Sequence, residues 1–375
     1  MGIAFIDLQA QRARIEDKIN TAIATVLDEG RFVMGPQVAK FENRMAEFGD
    51  AKHALSCANG TDALALPLMA WGIGPGDAVL CPSFTFAATG EIVPWYGAVP
   101  VFVDILPDTY NIDPVKLEAS IEKIKAEGKL TPKVIIAVDL FGQPADYPAL
   151  STIAKKHGMK LISDSAQGFG CTLNEKHPLH WADVTTTSFF PAKPLGCYGD
   201  GGAVLTNCDE TAQIIRSLRV HGKGDDKYDN IRIGMNSRLD TLQAAILLEK
   251  IDIFADEIKR RNVIAKRYCD HLQDVVGAVP TIIDGGISIW AQFTIEHDDR
   301  DGLAAHLKAH GVPSAIYYPK PMHMQTAYKD FPIGAGGLGV SEAKATRVIS
   351  LPMHPYLDED TQDIIIQAVR GYNRR

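Results

Sequence analysis

The sequence predicts an α/β fold: a large domain on a mainly parallel sheet, followed by a smaller C-terminal α/β lobe. Three observations predict it. Short aliphatic runs alternate with amphipathic stretches from residue 50 to about 207, two of those runs carry an aspartate at or near their ends, and one long helical pattern precedes the C-terminal region. Such alternation marks βα units, whose crossover helices cover both faces of a parallel sheet.

Candidate strands fall at 53–57, 78–81, 99–103, 133–139, 160–163, 184–189 and 203–206, and candidate helices at 61–72, 86–97, 113–125, 147–157 and 209–220. The runs VIIAVDL and KLISD are aliphatic with a terminal or near-terminal Asp, as expected of buried strands whose C-terminal ends open into a site. Residues 238–275 form one helical pattern, with Leu242, Ala245, Ile246, Leu248 and Ile253 on its apolar face. At about 1.5 Å per residue it would span most of a domain and suits a link between lobes. After it, ISIWAQFTI, RDGLAAHLKAHG and SAIYY read as strand, helix and strand, and 359–371 as a final helix. The expected division is 1–250 for the large domain with an N-terminal arm, and 251–375 for the small one.

The 375 residues are 46% hydrophobic and 22% charged, which is ordinary for a soluble globular chain. A net charge of −8 and a pI near 5.8 argue against nucleic acid as a partner. A small phosphorylated ligand is still accommodated by local cations and helix N-termini. Six cysteines without a CxxC pair point to a reduced, cytoplasmic protein. No HExxH or grouped His/Cys spacing suggests a metal. The N-terminus becomes charged at once, and no apolar run approaches the roughly 18–20 residues of a membrane span.

The chemistry concentrates in Ser188-Phe-Phe-Pro-Ala-Lys193-Pro-Leu-Gly-Cys-Tyr-Gly-Asp-Gly-Gly-Ala203. Pro194 disfavours the α region at Lys193, and Pro191 fixes φ just before it, so the lysine sits on a stiff, extended segment. Gly196, Gly199, Gly201 and Gly202 permit close backbone approach. Shielding by Phe189 and Phe190 would lower the lysine's pKa and raise its nucleophilicity. Most lysines are surface charges, so context alone does not prove a Schiff base. Upstream, Asp164 ends a buried strand, where it would serve either as an acid against a pyridine nitrogen or as a helix N-cap. Gln167 follows it. In Ser56-Cys-Ala-Asn-Gly60-Thr61-Asp62, a strand gives way to a helix start, which is an anion site or simply a capped helix. It matches neither GxxxxGK[ST] nor GxGxxG.

Together these segments resemble the DegT-type sugar-nucleotide aminotransferases over essentially the whole chain. The resemblance rests on FIDLQ near the start, GRFVMGPQVAKFE at 30–42, CANGTDAL at 57–64, PSFTFAAT at 82–89, GAVPVFVDI at 97–105, SDSAQGFG at 163–170, SFFPAKPLGCYGDGGAV at 188–204, NSRLDTLQAA at 236–245 and SLPMHPYL at 350–357. It implies the aspartate-aminotransferase fold (fold type I) and pyridoxal 5′-phosphate (PLP), with pyridoxamine phosphate formed during turnover. Lys193 would form the Schiff base and carry protons, Asp164 would pair with the pyridine nitrogen, and Gln167 would pack on the ring. Gly60, Thr61 and Ser188 would hold the phosphate, Phe86 would lie near the cofactor, and Asn236 would reach the cofactor of a second subunit in a homodimer. One branch of the family has histidine in place of the lysine and dehydrates sugars; Lys193 favours transamination from an amino donor, usually glutamate.

The closest likeness is to enzymes acting at C3 of a UDP-linked 2-acetamido-3-keto-glucuronic acid in bacterial O-antigen synthesis. There the arginine matching Arg238 would hold the substrate carboxylate as a bidentate fork. Relatives often carry His-Tyr-Pro where this chain has Tyr317-Tyr318-Pro319, and a tyrosine has no positive charge at neutral pH. A neutral C3- or C4-keto deoxysugar therefore stays open, as does a PLP-binding regulator without turnover. His323 is a further candidate substrate contact, and His221 lies in a cationic segment with Arg216, Arg219 and Lys223.

Overall fold

The computed structural model describes residues 2–226 and 228–372. Three N-terminal helices open the chain: α1 (Leu8–Arg14), α2 (Glu16–Glu29) and α3 (Pro36–Phe48). Asp7 caps α1 by accepting from Ala10 N at 2.8 Å. Gly30 ends α2 in the left-handed region at φ 66°, where glycine avoids the Cβ clash. Pro36 opens α3, where its missing N–H has no intrahelical role.

The central elements follow as β1 (His53–Cys57), α4 (Gly60–Ala70), β2 (Asp77–Pro82), α5 (Ala88–Glu91), β3 (Val99–Val103), α6 (Pro114–Glu127), β4 (Thr131–Val138), α7 (Tyr147–His157), β5 (Lys160–Asp164), β6 (Thr172–Leu173), β7 (Val184–Ser188), β8 (Gly202–Thr206) and α8 (Asp209–Leu218). Seven strands form one sheet in the order β1-β8-β7-β5-β4-β2-β3, and only β8 runs antiparallel to its neighbours. This is the predicted α/β architecture. Alternate residues face opposite ways along each strand. Ile136 and Ile162 pack with Leu64 and Ile215 on one face, while Ile135 and Leu161 pack with Leu117 and Ile121 on the other. Burying each such side chain contributes about 1.5–3 kcal/mol.

The long helix α9 runs Thr241–Leu272, about 48 Å at the α-helical rise. The division expected at 250/251 falls inside it. Leu247, Ile251 and Phe254 join the core beneath α3, whereas Ile264, Tyr268 and Leu272 join a separate C-terminal core. That C-terminal core gathers β10 (Phe293–Glu296), α10 (Arg300–Ala309), β11 (Val348–Leu351) and α12 (Glu359–Tyr372). The two-residue β9 (Gly286–Ile287) pairs with β6, and α11 (Gly339–Arg347) leads directly into β11.

Two expected elements differ. The helix expected over 86–97 is short: α5 stops at Glu91, and Pro94–Tyr96 form a separate 3₁₀ turn closed by Gly97 at φ 73°. Pro94 has no N–H with which to continue the ladder. SAIYY is not a strand; Ala315 alone bridges Ser350, and β10 pairs antiparallel with β11 instead. Pro313 and Pro319 bracket that segment and limit ladder pairing.

Candidate active site

The ends of β1, β5 and β7 share one edge of the sheet, and the polar groups of the site converge there. This is the C-terminal edge of the parallel strands, where α/β folds characteristically place ligands.

β7 ends at Ser188 and continues into the loop carrying Lys193. The loop is turned rather than extended as expected, and it closes on itself: Lys193 N donates to Phe190 O at 2.8 Å, Cys197 N to Phe189 O at 2.8 Å, and Phe189 N to Gly201 O at 2.7 Å. Burial pushes the Lys193 amine below the ordinary lysine range, with Asp164 acting in the opposite direction. A greater neutral fraction makes the amine a better nucleophile.

Asp164 is 4% exposed. Its carboxylate accepts from Thr89 Oγ1 at 2.9 Å and from Ala166 N at 3.2 Å. Burial pushes its carboxyl up, while Thr89, Ala166 and the Lys193 charge hold it down. Asp139 lies alongside, its N–H donating to Asp164 O at 3.0 Å. Asp139 is fully buried and accepts from Tyr147 Oη at 2.6 Å, Ala145 N at 3.2 Å, Ser163 Oγ at 3.2 Å and Ser165 Oγ. Burial, the largest influence, leaves its carboxyl pushed up to about 6.

Gln167 is pinned at both ends of its amide. Oε1 accepts from Phe141 N at 2.8 Å, and Nε2 donates to Tyr318 Oη at 2.8 Å. An amide held in this way offers a flat, fixed face. Tyr318 sits among aromatic rings, with centroids 6.2 Å from Phe84 and 6.4 Å from Phe86. Phe86 is 57% exposed.

The third component is the start of α4. Asn59 caps the helix by accepting from Asp62 N at 2.8 Å. Gly60 and Thr61 then have no helical acceptor one turn back for their N–H groups, and the helix dipole favours an anion there. A Cβ on Gly60 would stand 2.6 Å from Ser188 Cβ, and one on Gly202 would stand 2.3 Å from Asn59 O. Glycine at both positions lets the strand ends abut, so Gly60, Thr61 and Ser188 form one cradle. Ser188 Oγ accepts from Phe190 N at 3.3 Å, which leaves its own hydrogen to give.

The remaining candidates lie around this centre. Ser237 is buried, and its Oγ accepts from Ala58 N at 3.2 Å, fastening the NSR segment beside the cradle. Its neighbours differ: Asn236 is exposed and Arg238 half-buried. The Arg238 guanidinium makes no hydrogen bond or ion pair among the described residues. Tyr317 packs 6.5 Å from the Phe5 ring. His323 has both ring nitrogens engaged, Nδ1 with Ser83 Oγ at 2.7 Å and Nε2 with Glu342 at 3.1 Å. His221 adopts φ 58° and donates its N–H to Met235 O at 2.9 Å.

This set fits PLP. An amine of lowered pKa, a buried carboxylate, a fixed planar amide and an anion cradle answer the aldehyde, ring nitrogen, ring face and phosphate of that molecule. Among the described residues, no group of three His, Cys, Asp or Glu side chains is placed to hold a metal ion, and no helix is long and apolar enough to cross a membrane.

Residues 13–370 match the DegT/DnrJ/EryC1/StrS aminotransferase family. The chain belongs to that family. It is 50% identical over 369 residues to the UDP-2-acetamido-2-deoxy-3-oxo-D-glucuronate aminotransferase of Pseudomonas aeruginosa, covering 98% of this chain and 99% of the relative. A DegT DnrJ EryC1 StrS aminotransferase from Brucella abortus superposes with a TM-score of 0.98 at 54% identity, over 100% of both chains. DesV of S. venezuelae, solved with a ketimine intermediate, superposes with a TM-score of 0.93 at 35% identity over 100% of this chain and 99% of its own. The protein is thus a PLP-dependent sugar-nucleotide aminotransferase of fold type I. The regulatory alternative is not favoured.

Thr89, Asn59, Asp139 and Phe141 carry no assigned role in the sequence alone. Thr89 and Asn59 lie inside quoted motifs, PSFTFAAT and CANGTDAL, so the signal was present without a role attached. Asp139 is the next-to-last residue of VIIAVDL and follows directly on β4, one step beyond the position that Asp164 holds on β5.

Proposed function

We propose that the enzyme moves an amino group from glutamate to C3 of a UDP-linked 2-acetamido-3-keto-hexuronate, for bacterial surface-polysaccharide (O-antigen) synthesis, as a cytoplasmic homodimer. The carrying observation is the 50% identity, over 98% of the chain, to the P. aeruginosa enzyme whose name specifies that 3-oxo-glucuronate. The half-buried Arg238, with no partner among the described residues, supports the same reading. A guanidinium suits a uronate carboxylate bidentately.

PLP, when bound, supplies the electron sink that stabilises charge on the reacting carbon. Lys193 would hold it between turnovers and, as a free amine, would carry a proton between the substrate carbon and the cofactor's C4′. Asp164 keeps the pyridine nitrogen protonated, and Gln167 steadies the ring face. Gly60, Thr61 and Ser188 bind the phosphate. Asn236, exposed in a single chain, suits a contact across a subunit interface. The exposed side chains of Phe32, Val33 and Met34 suit burial in the same interface.

A panel of keto sugar nucleotides offered to the pyridoxamine form tests the assignment. The 3-keto uronate should be aminated fastest. Failure of every 3-keto acceptor, with turnover of a 4-keto one, overturns the position of attack.

A further inference from the structure

Two polar side chains on one face of α9 reach the loop that carries Lys193. Gln243 grips the backbone of Tyr198 from both sides: Tyr198 N donates to its Oε1 at 2.8 Å, and its Nε2 donates to Tyr198 O at 3.4 Å. About two turns further along the same face, Lys250 Nζ donates to Gly196 O at 2.7 Å. The Lys250 ammonium also lies 4.2 Å from the centroid of the Tyr198 ring, a cation–π arrangement.

Lys250 is 1% exposed. Burying an ammonium costs free energy that an apolar side chain of the same volume would not incur. Burial pushes its amine down to about 8, with Glu257 on α9 and the Cys197 thiol on the loop acting in the opposite direction. A residue kept here at that cost has a use for its donor, and the acceptor it meets is the Gly196 carbonyl. Gly196 sits in the tightest part of the loop, where a Cβ would stand 2.5 Å from Pro191 O and 2.7 Å from Phe190 O. Those carbonyls lie just before Lys193, and Phe190 O accepts from Lys193 N at 2.8 Å, so a shift of Gly196 would be transmitted to the lysine.

We propose that Gln243 and Lys250 are positioning residues that clasp the loop through Tyr198 and Gly196 and so set where the Lys193 amine stands relative to PLP. This rests on Lys193 being the PLP-binding lysine. Misplacing a reacting group by about 1 Å can cost roughly a hundredfold in rate, so a clasp on the loop has large leverage.

The test uses the full chain, stripped of cofactor and reloaded with PLP. Borohydride trapping and peptide mapping measure the rate at which PLP becomes attached to Lys193, and the visible band of the loaded protein is titrated with pH. Lys250→Met keeps the bulk and removes the donor, Lys250→Arg restores a donor, and Gln243→Met opens the other half of the clasp should Lys250→Met fail to fold. The two Met variants should attach PLP at least about tenfold more slowly and displace the band's midpoint, and Lys250→Arg should recover much of both. Met variants that lose melting temperature yet match the wild-type attachment rate and midpoint overturn the clasp. A wild-type protein that attaches no PLP at Lys193 overturns the assignment of Lys193 itself, and the clasp with it.

Discussion

Thr89 donates its hydroxyl hydrogen to Asp164 Oδ2 at 2.9 Å, and both residues are buried. A strand-end carboxylate is thereby tied to a residue on α5. Thr89 is the first of the groups that hold the Asp164 carboxyl down against burial. Thr89→Val should raise that carboxyl further, lower kcat by about tenfold and move the acid limb of the pH–rate profile upward. Thr89→Ser should behave as wild type. An unmoved acid limb in the Val variant would contradict the tie.

Lys193→Ala should remove both the visible band of the PLP-loaded protein and on the order of 10³–10⁴ of turnover, the scale of a lost acid–base group. Absorbance and single-turnover amination check it together. Lys193→Arg should fail equally, since a permanently charged guanidinium is no nucleophile.

Tyr318→Phe leaves the Gln167 Nε2 without its acceptor. An unsatisfied buried donor costs about 1–3 kcal/mol, so the affinity of the cofactor-free protein for PLP should fall by roughly tenfold. A PLP titration followed by fluorescence reads this directly.

Arg238→Ala should raise KM for a uronate acceptor by about a hundredfold, the scale of a lost charge-assisted pair. A neutral 3-keto analogue should be unaffected. Equal loss for both acceptors would place Arg238 elsewhere than on the carboxylate.

Asp139 ties pH to stability. Its carboxyl is pushed up to about 6 in the folded protein, against about 3.9 in an unfolded chain. Its contribution is therefore fully present below the unfolded value and is lost as pH rises through about 6. Between about pH 4 and 6 this group should lower the unfolding free energy with a slope of order 1 kcal/mol per pH unit. Asp139→Asn should flatten that part of the curve in denaturant titrations.

Much of the large domain was legible because its strands are short aliphatic runs bounded by turns, and period and punctuation survive in one dimension. Lys193, with prolines on both sides of it, and Asp164 at a strand end announced themselves in the same way. What was hidden depends on partners far apart in the chain. Thr89 acquires its role from Asp164, Lys250 from Gly196, and Asn59 from its place beside Gly202. α2 and α3 passed unassigned because they pack along α9 rather than alternating with strands. The strand VISL escaped notice because it follows α11 without a turn, while the tyrosines of SAIYY looked more strand-like than their flanking prolines allow.

β8 runs against its neighbours, and Ser188 and Gly202 are register partners at the sheet's edge. The lysine is consequently borne on a hairpin, whose length is independent of the sheet's registry. One residue added between Phe190 and Gly201 would lengthen the excursion by up to about 3.6 Å and leave Asp164, Gly60, Thr61 and Ser188 where they are. Such a chain should fold and retain its sheet yet fail to bond PLP. Fold and catalysis are in this sense separately editable.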